Sequence, residues 1–280
     1  MAEIIGGLTT SHIPAVGKAI ASKLFDDPYW KPFFDAYPPV RQWLADHKPD
    51  VAIVIYNDHG LNFFLDKMPT FAIGAALDYH NEDEGWGIPT IAPFKGAPKL
   101  SWHIIEQMVA DEFDITSCQE MAVDHGFTVP MQLFWPDRGA DMPLVIPVCA
   151  NTVQHPIPTM KRCLDFGKSL GRAIRSYPED IKVVVLGTGG LSHQLEGERA
   201  GHINKEFDMM CMEKIVNDPQ ELTKISRHEL IRQAGAQGSE FIMWMMMRGA
   251  LSERVTAVHQ NYHIPISNTG AGTMILECQS

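Results

Sequence analysis

Six short apolar runs, rich in β-branched residues, constrain the fold of this chain more than any other feature. Most of them are apolar at nearly every position, whereas a half-exposed strand would alternate polar and apolar side chains. Runs of this kind indicate strands that are buried on both faces of one central sheet. They cover residues 2–8, 50–57, 70–76, 143–150, 181–188 and 272–277.

Stretches with a 3.6-residue apolar period separate these runs and predict helices over residues 97–112, 159–176, 202–217 and 238–250. A further helix in "PVRQWLADHKPD" should end near Pro49, because proline cannot continue it. Strands that alternate with helices predict an α/β fold. We expect a single domain over residues 1–280, with a central mixed sheet flanked by helices on both faces.

Residues 78–98 are dense in glycine, proline and acidic side chains, and no periodic pattern runs through them. We interpret them as a long surface loop. Loops of this length in a compact domain are often functional, so this segment is a candidate wall or lid for a site.

The charge balance argues against nucleic acid and anionic membranes as partners. The chain of 280 residues has a formal net charge of -11, so it has no broad cationic surface. Its five cysteines are scattered and form no CxxC pair, which favours free thiols in a reducing compartment. The first residues lack a signal-peptide pattern, and no window is apolar enough to span a membrane, so we expect a cytoplasmic protein.

Histidines follow three of the apolar runs. His12 comes after the first, His59 after the second and His193 after the fifth. In open α/β sheets, ligands bind beyond the carboxyl ends of the strands, where these side chains should meet. One such histidine alone is more often structural or simply exposed. Three together favour a site, and neutral imidazole is a common ligand for zinc, copper and iron.

Glu240 is the best candidate for an accompanying carboxylate, because it precedes an almost wholly apolar helical stretch. A carboxylate there needs a cationic partner such as a metal ion, or it only complements the dipole of the helix. Two histidines and one carboxylate form the facial ligand set of non-haem Fe(II) oxygenases. A zinc hydrolase would use similar ligands. The methionines that follow Glu240 are more simply explained as core residues.

For other polar residues near the predicted strand ends, the sequence leaves a structural and a functional role open. Asp124 and His125 stand just before a predicted helix, and His193 follows a glycine-rich turn that either forms a tight corner or lets the backbone approach a ligand. A phosphate-binding loop is disfavoured, because no lysine follows the glycines. Ser267 and Asn268 either bind a substrate carboxylate or stabilise a loop.

Seven ordered segments resemble the class III, or LigB-type, extradiol ring-cleavage dioxygenases, and among them the catalytic β chains of the protocatechuate 4,5-cleaving type. The resemblance runs from about residue 5 to residue 276. The segments read "TSHIPA", "IYNDH", "AVDHG", "GTGGLSHQL", "INKEFD", "MWMMMRGAL" and "YHIPISNT".

This resemblance implies one α/β catalytic domain that holds Fe(II). It implies that His12, His59 and Glu240 are the iron ligands and that His193 is the catalytic base. His125 matches a second active-site histidine near the oxygen and the substrate hydroxyls. Ser267 and Asn268 match the pair that receives the carboxylate of the aromatic ring.

The implied reaction is cleavage of protocatechuate (3,4-dihydroxybenzoate) by O2 between C4 and C5, which gives 4-carboxy-2-hydroxymuconate semialdehyde. Gallate or 3-O-methylgallate is the alternative substrate, and a non-catalytic, ligand-binding member of the same fold is the alternative from another class. The resemblance also implies a small helical α subunit in an α2β2 assembly, because nothing in this chain looks like that subunit. Gallate dioxygenases of the family carry both parts on one longer chain.

Overall fold

A computed structural model describes residues 1–139, 141–265 and 267–279 of the chain. Its strands are β1 (Glu3–Thr10), β2 (Val51–Tyr56), β3 (Phe71–Gly74), β4 (Asp78–Asn81), β5 (Phe94–Lys95), β6 (Thr116–Cys118), β7 (Ala122–Val123), β8 (Leu144–Ala150), β9 (Lys182–Thr188), β10 (Val255–His263) and β11 (Ala271–Cys278). Its helices are α1 (Pro14–Ala21), α2 (Lys31–Phe34), α3 (Pro38–His47), α4 (Pro98–Ala110), α5 (His125–Phe134), α6 (Met160–Arg175), α7 (Lys205–Asn217), α8 (Pro219–Leu222), α9 (Arg227–Ala234) and α10 (Phe241–Ala250).

Eight of these strands form one mixed sheet in the order β10-β11-β1-β9-β2-β8-β3-β6. The four central strands, β1, β9, β2 and β8, run parallel to one another. Antiparallel pairs flank them, β1 with β11 on one side and β8 with β3 on the other. The six apolar runs are all strands of this sheet, so the predicted mixed α/β sheet is confirmed.

Helices cover both faces of the sheet, as two neighbouring residues of β9 show. A Cβ atom at Gly187 would lie 2.9 Å from the backbone oxygen of Met243, so α10 packs directly on this face. The hydroxyl of Thr188 lies 3.4 Å from the backbone oxygen of Gly126 in α5. Successive side chains of a strand point to opposite faces, so α5 and α10 lie on opposite sides of the sheet.

All ten residues of α10 are buried, between the sheet and α6. The methionine run of this helix is therefore core, as expected from its composition. Flexible thioether side chains fill irregular gaps well, which suits a helix that is enclosed on every side.

The segment 78–98 differs from the predicted plain loop. It contains β4 and β5, and these strands form a three-stranded sheet with β7 in the order β5-β4-β7. Strand β10 was not predicted either. It lies at the edge of the main sheet and is only partly buried, so its residues lack a continuous apolar run. In the described part of the chain no helix is both long and apolar enough to cross a lipid bilayer.

Candidate metal centre and active site

Three adjacent parallel strands deliver the predicted histidines to one edge of the sheet. His12 follows β1, His59 follows β2 and His193 follows β9, and β9 lies between the other two strands. Because the strands are parallel, their carboxyl ends share this edge. Glu240 reaches the same edge from the 3-10 turn Gln237–Glu240, immediately before α10.

His12, His59 and Glu240 form a cluster with the spacing of a metal site. Glu240 Oε1 lies 3.4 Å from His12 Nε2 and 3.8 Å from His59 Nε2. Ligands about 2.1 Å from one ion are separated by at most about 4.2 Å, so both distances fit a shared ion. His12 Nε2 is buried without a hydrogen-bond partner, which a coordinated ion would supply. The His59 side chain is 24 % exposed, and on that side the cluster opens to solvent.

The back of each proposed ligand is held by a different group. His12 Nδ1 lies 2.9 Å from Thr188 Oγ1, and that hydroxyl donates its own proton to the backbone oxygen of Ile55. The hydroxyl oxygen therefore accepts from His12 Nδ1–H, which leaves the Nε2 lone pair free. Asp124 holds His59 in the same way, with Oδ2 at 3.0 Å from Nδ1. Such outer contacts fix the orientation of metal ligands.

Glu240 and Asp124, the two carboxylates that contact these histidines, are held in their charged form. Burial by itself would raise the pKa of Glu240, but the imidazoles of His12 and His59 hold it well below its usual range. Burial opposes ionisation of Asp124 as well, yet contact with His59 lowers its pKa to about 2. The same carboxylates outweigh the effect of burial on His59 and raise its pKa to about 10. The site therefore attracts positive charge, which a divalent cation bound at the cluster would supply.

The glycines before His193 let the backbone approach Glu240. Glu240 Oε2 accepts a hydrogen bond of 2.8 Å from the backbone nitrogen of Gly190. Gly189 has a φ of +84°, and a Cβ atom there would lie 2.7 Å from Glu240 Oε2. The turn is thus a tight corner with positive-φ glycines, and it brings the backbone against Glu240. Approach of this backbone to a ligand stays a prediction.

His125 lies beside the ligand cluster, at the first position of α5. Its ring centroid is 4.0 Å from that of His59 and 5.9 Å from that of His12. Asp124 caps the helix by accepting from the backbone nitrogen of Gly126, while its other oxygen binds His59. Asp124 therefore both caps α5 and holds His59, while the ring of His125 packs against the ring of His59.

His193 is fixed against the segment that contains Ser267 and Asn268. Its Nδ1 lies 3.0 Å from the backbone oxygen of Asn268 and 2.8 Å from Thr269 Oγ1. A carbonyl oxygen only accepts, so Nδ1 carries the proton and Nε2 keeps its lone pair. The structure thus brings His193 to residues 267–269. Ser267 is half-buried and Asn268 is exposed.

No local sequence pattern marks three further residues of this site. Thr188 and Thr269 are ordinary strand and loop residues whose role depends on a histidine far away in the chain. Glu84 binds His125 across 41 residues, with Oε1 at 2.7 Å from Nδ1. Glu84 stands in the segment 78–98, which composition marked as a candidate wall, but nothing in its neighbourhood singles out this carboxylate from its acidic neighbours.

Comparison with known proteins identifies the family of this chain. A family profile described as the catalytic LigB subunit of aromatic ring-opening dioxygenase matches residues 6–272. The chain belongs to this family. Enzymes of the LigB extradiol type are generally metal-dependent, which agrees with the geometry of the cluster.

Two curated relatives are dioxygenases by name. A gallate dioxygenase of Pseudomonas putida KT2440 is 43% identical over 195 residues, which are 70% of this chain and 57% of that protein. A 2,3-dihydroxyphenylpropionate/2,3-dihydroxicinnamic acid 1,2-dioxygenase of Photorhabdus laumondii is 26% identical, over 72% of this chain and 60% of that protein. The chain thus matches about three fifths of the length of these relatives.

A solved structure shows the same fold. The crystal structure of an uncharacterised protein from Escherichia coli K12 has a TM-score of 0.58 and 12% identity, and the alignment covers 98% of this chain and 100% of that one. At this identity the likeness concerns the architecture alone.

Proposed function

We propose that residues 1–280 form the catalytic domain of a ferrous-iron-dependent extradiol dioxygenase that opens the ring of a carboxylated catechol. The observation that carries this proposal is the cluster of His12, His59 and Glu240, in which each residue is held from behind while three ligand atoms converge. Two imidazoles and one carboxylate leave open positions on one side of an ion. When bound there, Fe(II) would hold both catechol oxygens and O2 and conduct electron density between them.

The side chains around the cluster have separate proposed roles in proton transfer and substrate binding. His193 presents the lone pair of Nε2, because Nδ1–H is committed to the backbone oxygen of Asn268. It is the proposed base that accepts a proton from a catechol hydroxyl. His125 lies on the other flank, against His59, and is proposed to contact the oxygen and the substrate hydroxyls. Ser267 and Asn268 are proposed to receive the ring carboxylate.

We propose gallate as the substrate, and protocatechuate is the second candidate. The resemblance of the motifs indicates protocatechuate and its 4,5-cleavage. The 43% identity to a gallate dioxygenase supports the alternative more strongly. Both acids carry a carboxylate and at least two adjacent hydroxyls, so the same site chemistry serves either ring.

We further propose that a second, helical part completes the site, either as a separate α subunit in an α2β2 assembly or as a further segment of the same protein. The matched relatives extend well beyond the length that this chain covers. Large apolar side chains are also exposed in the segments that carry the site residues, as expected of a surface that another part covers. They are Phe64, Leu65, Trp86, Leu195 and Ile264. We place the assembly in the cytoplasm.

Oxygen consumption by the Fe(II)-loaded protein tests the proposal. Gallate, protocatechuate, 3-O-methylgallate and catechol would be compared, with and without a candidate helical partner, while a yellow ring-opened product is followed by absorbance. Uptake that matches product formation, fastest with gallate, is the expected result. If the iron-loaded protein consumes no oxygen with any of the four in either form, the assigned reaction is wrong.

Replacement of His193 by Phe separates catalysis from metal binding. We expect His193→Phe to retain iron, because its Nδ1 contacts the segment 268–269 and no ligand of the cluster. Turnover should fall by about 10²-fold or more, the usual contribution of a general base. Iron content and oxygen uptake would be measured on the same preparation, and loss of iron would show that His193 is itself a ligand.

A further inference from the structure

Glu84 makes a two-point contact with His125. Its Oε1 lies 2.7 Å from His125 Nδ1, and its Oε2 accepts a hydrogen bond of 2.7 Å from the backbone nitrogen of the same residue. The Glu84 side chain is only 15 % exposed and that of His125 only 4 %. One carboxylate from the segment between β4 and β5 thus fixes both the backbone and the ring of His125.

This contact decides which ring nitrogen faces the site. An ionised carboxylate has acceptors only, so His125 Nδ1 must carry a proton. In the neutral ring, Nε2 is then a hydrogen-bond acceptor. The ring cannot easily turn, because it lies 4.0 Å from the ring of His59 and approaches Trp86 at 6.4 Å.

The other nearby carboxylate cannot replace Glu84. Asp124 is adjacent to His125 in sequence, but its oxygens are committed to His59 and to the backbone nitrogen of Gly126. Glu82 and Asp83, the acidic neighbours of Glu84, are exposed. Within the acidic stretch of residues 82–84, Glu84 is therefore the residue that reaches His125.

We propose that Glu84 is a positioning residue of the active site, which holds His125 as the Nδ1–H tautomer so that Nε2 accepts a hydrogen bond from a hydroxyl of the ring substrate. The substrate part of this inference rests on the proposed function. The tautomer part does not, because it follows from the contact with Glu84 alone. Through this contact, the connection between β4 and β5 contributes a carboxylate that holds His125.

The tautomer is tested directly by 15N NMR of histidine-labelled protein, in the metal-free and zinc(II)-loaded forms. The variant is Glu84→Gln, and the matched control is Glu82→Gln in the same segment. The His125 signals are assigned by their loss in His125→Gln. We expect Nδ1–H in wild type and control, and a shift toward Nε2–H in Glu84→Gln. The amide has a single acceptor oxygen, and when this oxygen accepts from the backbone N–H of His125, its NH2 donates to Nδ1. An unchanged Nδ1–H tautomer in Glu84→Gln would overturn the proposal.

A double-mutant cycle in the iron-loaded enzyme tests whether Glu84 acts through His125. Glu84→Gln should lower kcat about tenfold or more with unchanged iron content, in the range of other outer contacts of active sites. In a His125→Gln or His125→Phe background, the same change should have less than about a twofold further effect, because Glu84 acts through His125. Equal losses in both backgrounds would refute positioning through His125. If wild type turns over no substrate, the proposed function fails, and the NMR result still decides the role of Glu84.

Discussion

Asp208 gives the sharpest test of how burial and hydrogen bonding are balanced next to the site. It lies in α7 and is 1 % exposed. Its Oδ1 accepts from the backbone nitrogen and the hydroxyl of Ser192, at 3.0 and 2.6 Å, and its Oδ2 accepts from the hydroxyl of Tyr262 at 2.8 Å. Burial nevertheless raises the pKa of Asp208 to about 6, because the hydrogen bonds offset only part of the desolvation.

The sign of the pH dependence follows from this pKa. Between the unfolded value of 3.8 and the folded value of about 6, the folded protein holds a proton that the unfolded chain has released. The free energy of unfolding therefore falls as the pH rises through this window. The whole window corresponds to about 3 kcal/mol, of which about 2 kcal/mol lies between pH 4.5 and 7.

Asp208→Asn removes this titration and keeps an oxygen acceptor for Ser192. We expect the unfolding free energy of wild type, relative to the variant, to fall by about 2 kcal/mol between pH 4.5 and 7 in urea titrations. Glu213→Gln, an exposed site on the same helix, should leave the pH profile unchanged. Tyr262→Phe should extend the window to higher pH, since it removes a hydrogen bond that favours the ionised form. A difference between wild type and Asp208→Asn that stays constant over this pH range would refute the reasoning.

Three further changes test the metal centre and the core. Asp124→Asn should weaken metal affinity about 10- to 100-fold, because His59 loses the carboxylate behind it; titration of the apoprotein with Fe(II) or Zn(II) measures this. Glu240→Gln removes the only charge of the proposed ligand set and should lower the metal content of purified protein by more than Asp124→Asn does, as metal analysis would show. Gly249→Ala should reduce the unfolding free energy by about 1–3 kcal/mol, because its Cβ would lie 2.9 Å from the Cα of Gly167 where α6 crosses α10, whereas Gly139→Ala, with open space around it, should not.

The six strands with continuous apolar runs and the position of the site were predictable, the strands from local signals and the site from topology. Continuous apolar runs mark strands that are covered on both faces, and the six predicted runs match the central sheet. The site edge followed from a rule of topology: adjacent parallel strands end on the same side, so polar residues just after them meet. His12 and His59 meet there for that reason, although 47 positions separate them in the sequence.

The parts that were missed depend on contacts between distant segments. Strand β10 is half-buried at the edge of the sheet, so its composition resembles that of a loop. Glu84 is one of several acidic residues in its segment, and only the path of the chain from β4 to β5 brings it to His125. The choice of Thr188 as the partner of His12 depends on the position of β9 beside β1, which local pattern does not fix.

The four histidines of the site share one feature that neither the motifs nor the metal-ligand distances express. Each has an acceptor near Nδ1, so in each neutral ring the lone pair lies on Nε2. The acceptors are a hydroxyl for His12 (Thr188), carboxylates for His59 (Asp124) and His125 (Glu84), and a backbone carbonyl for His193 (Asn268). The proposed base His193 is thus paired with a neutral carbonyl, while carboxylates stand behind the proposed ligand His59 and behind His125.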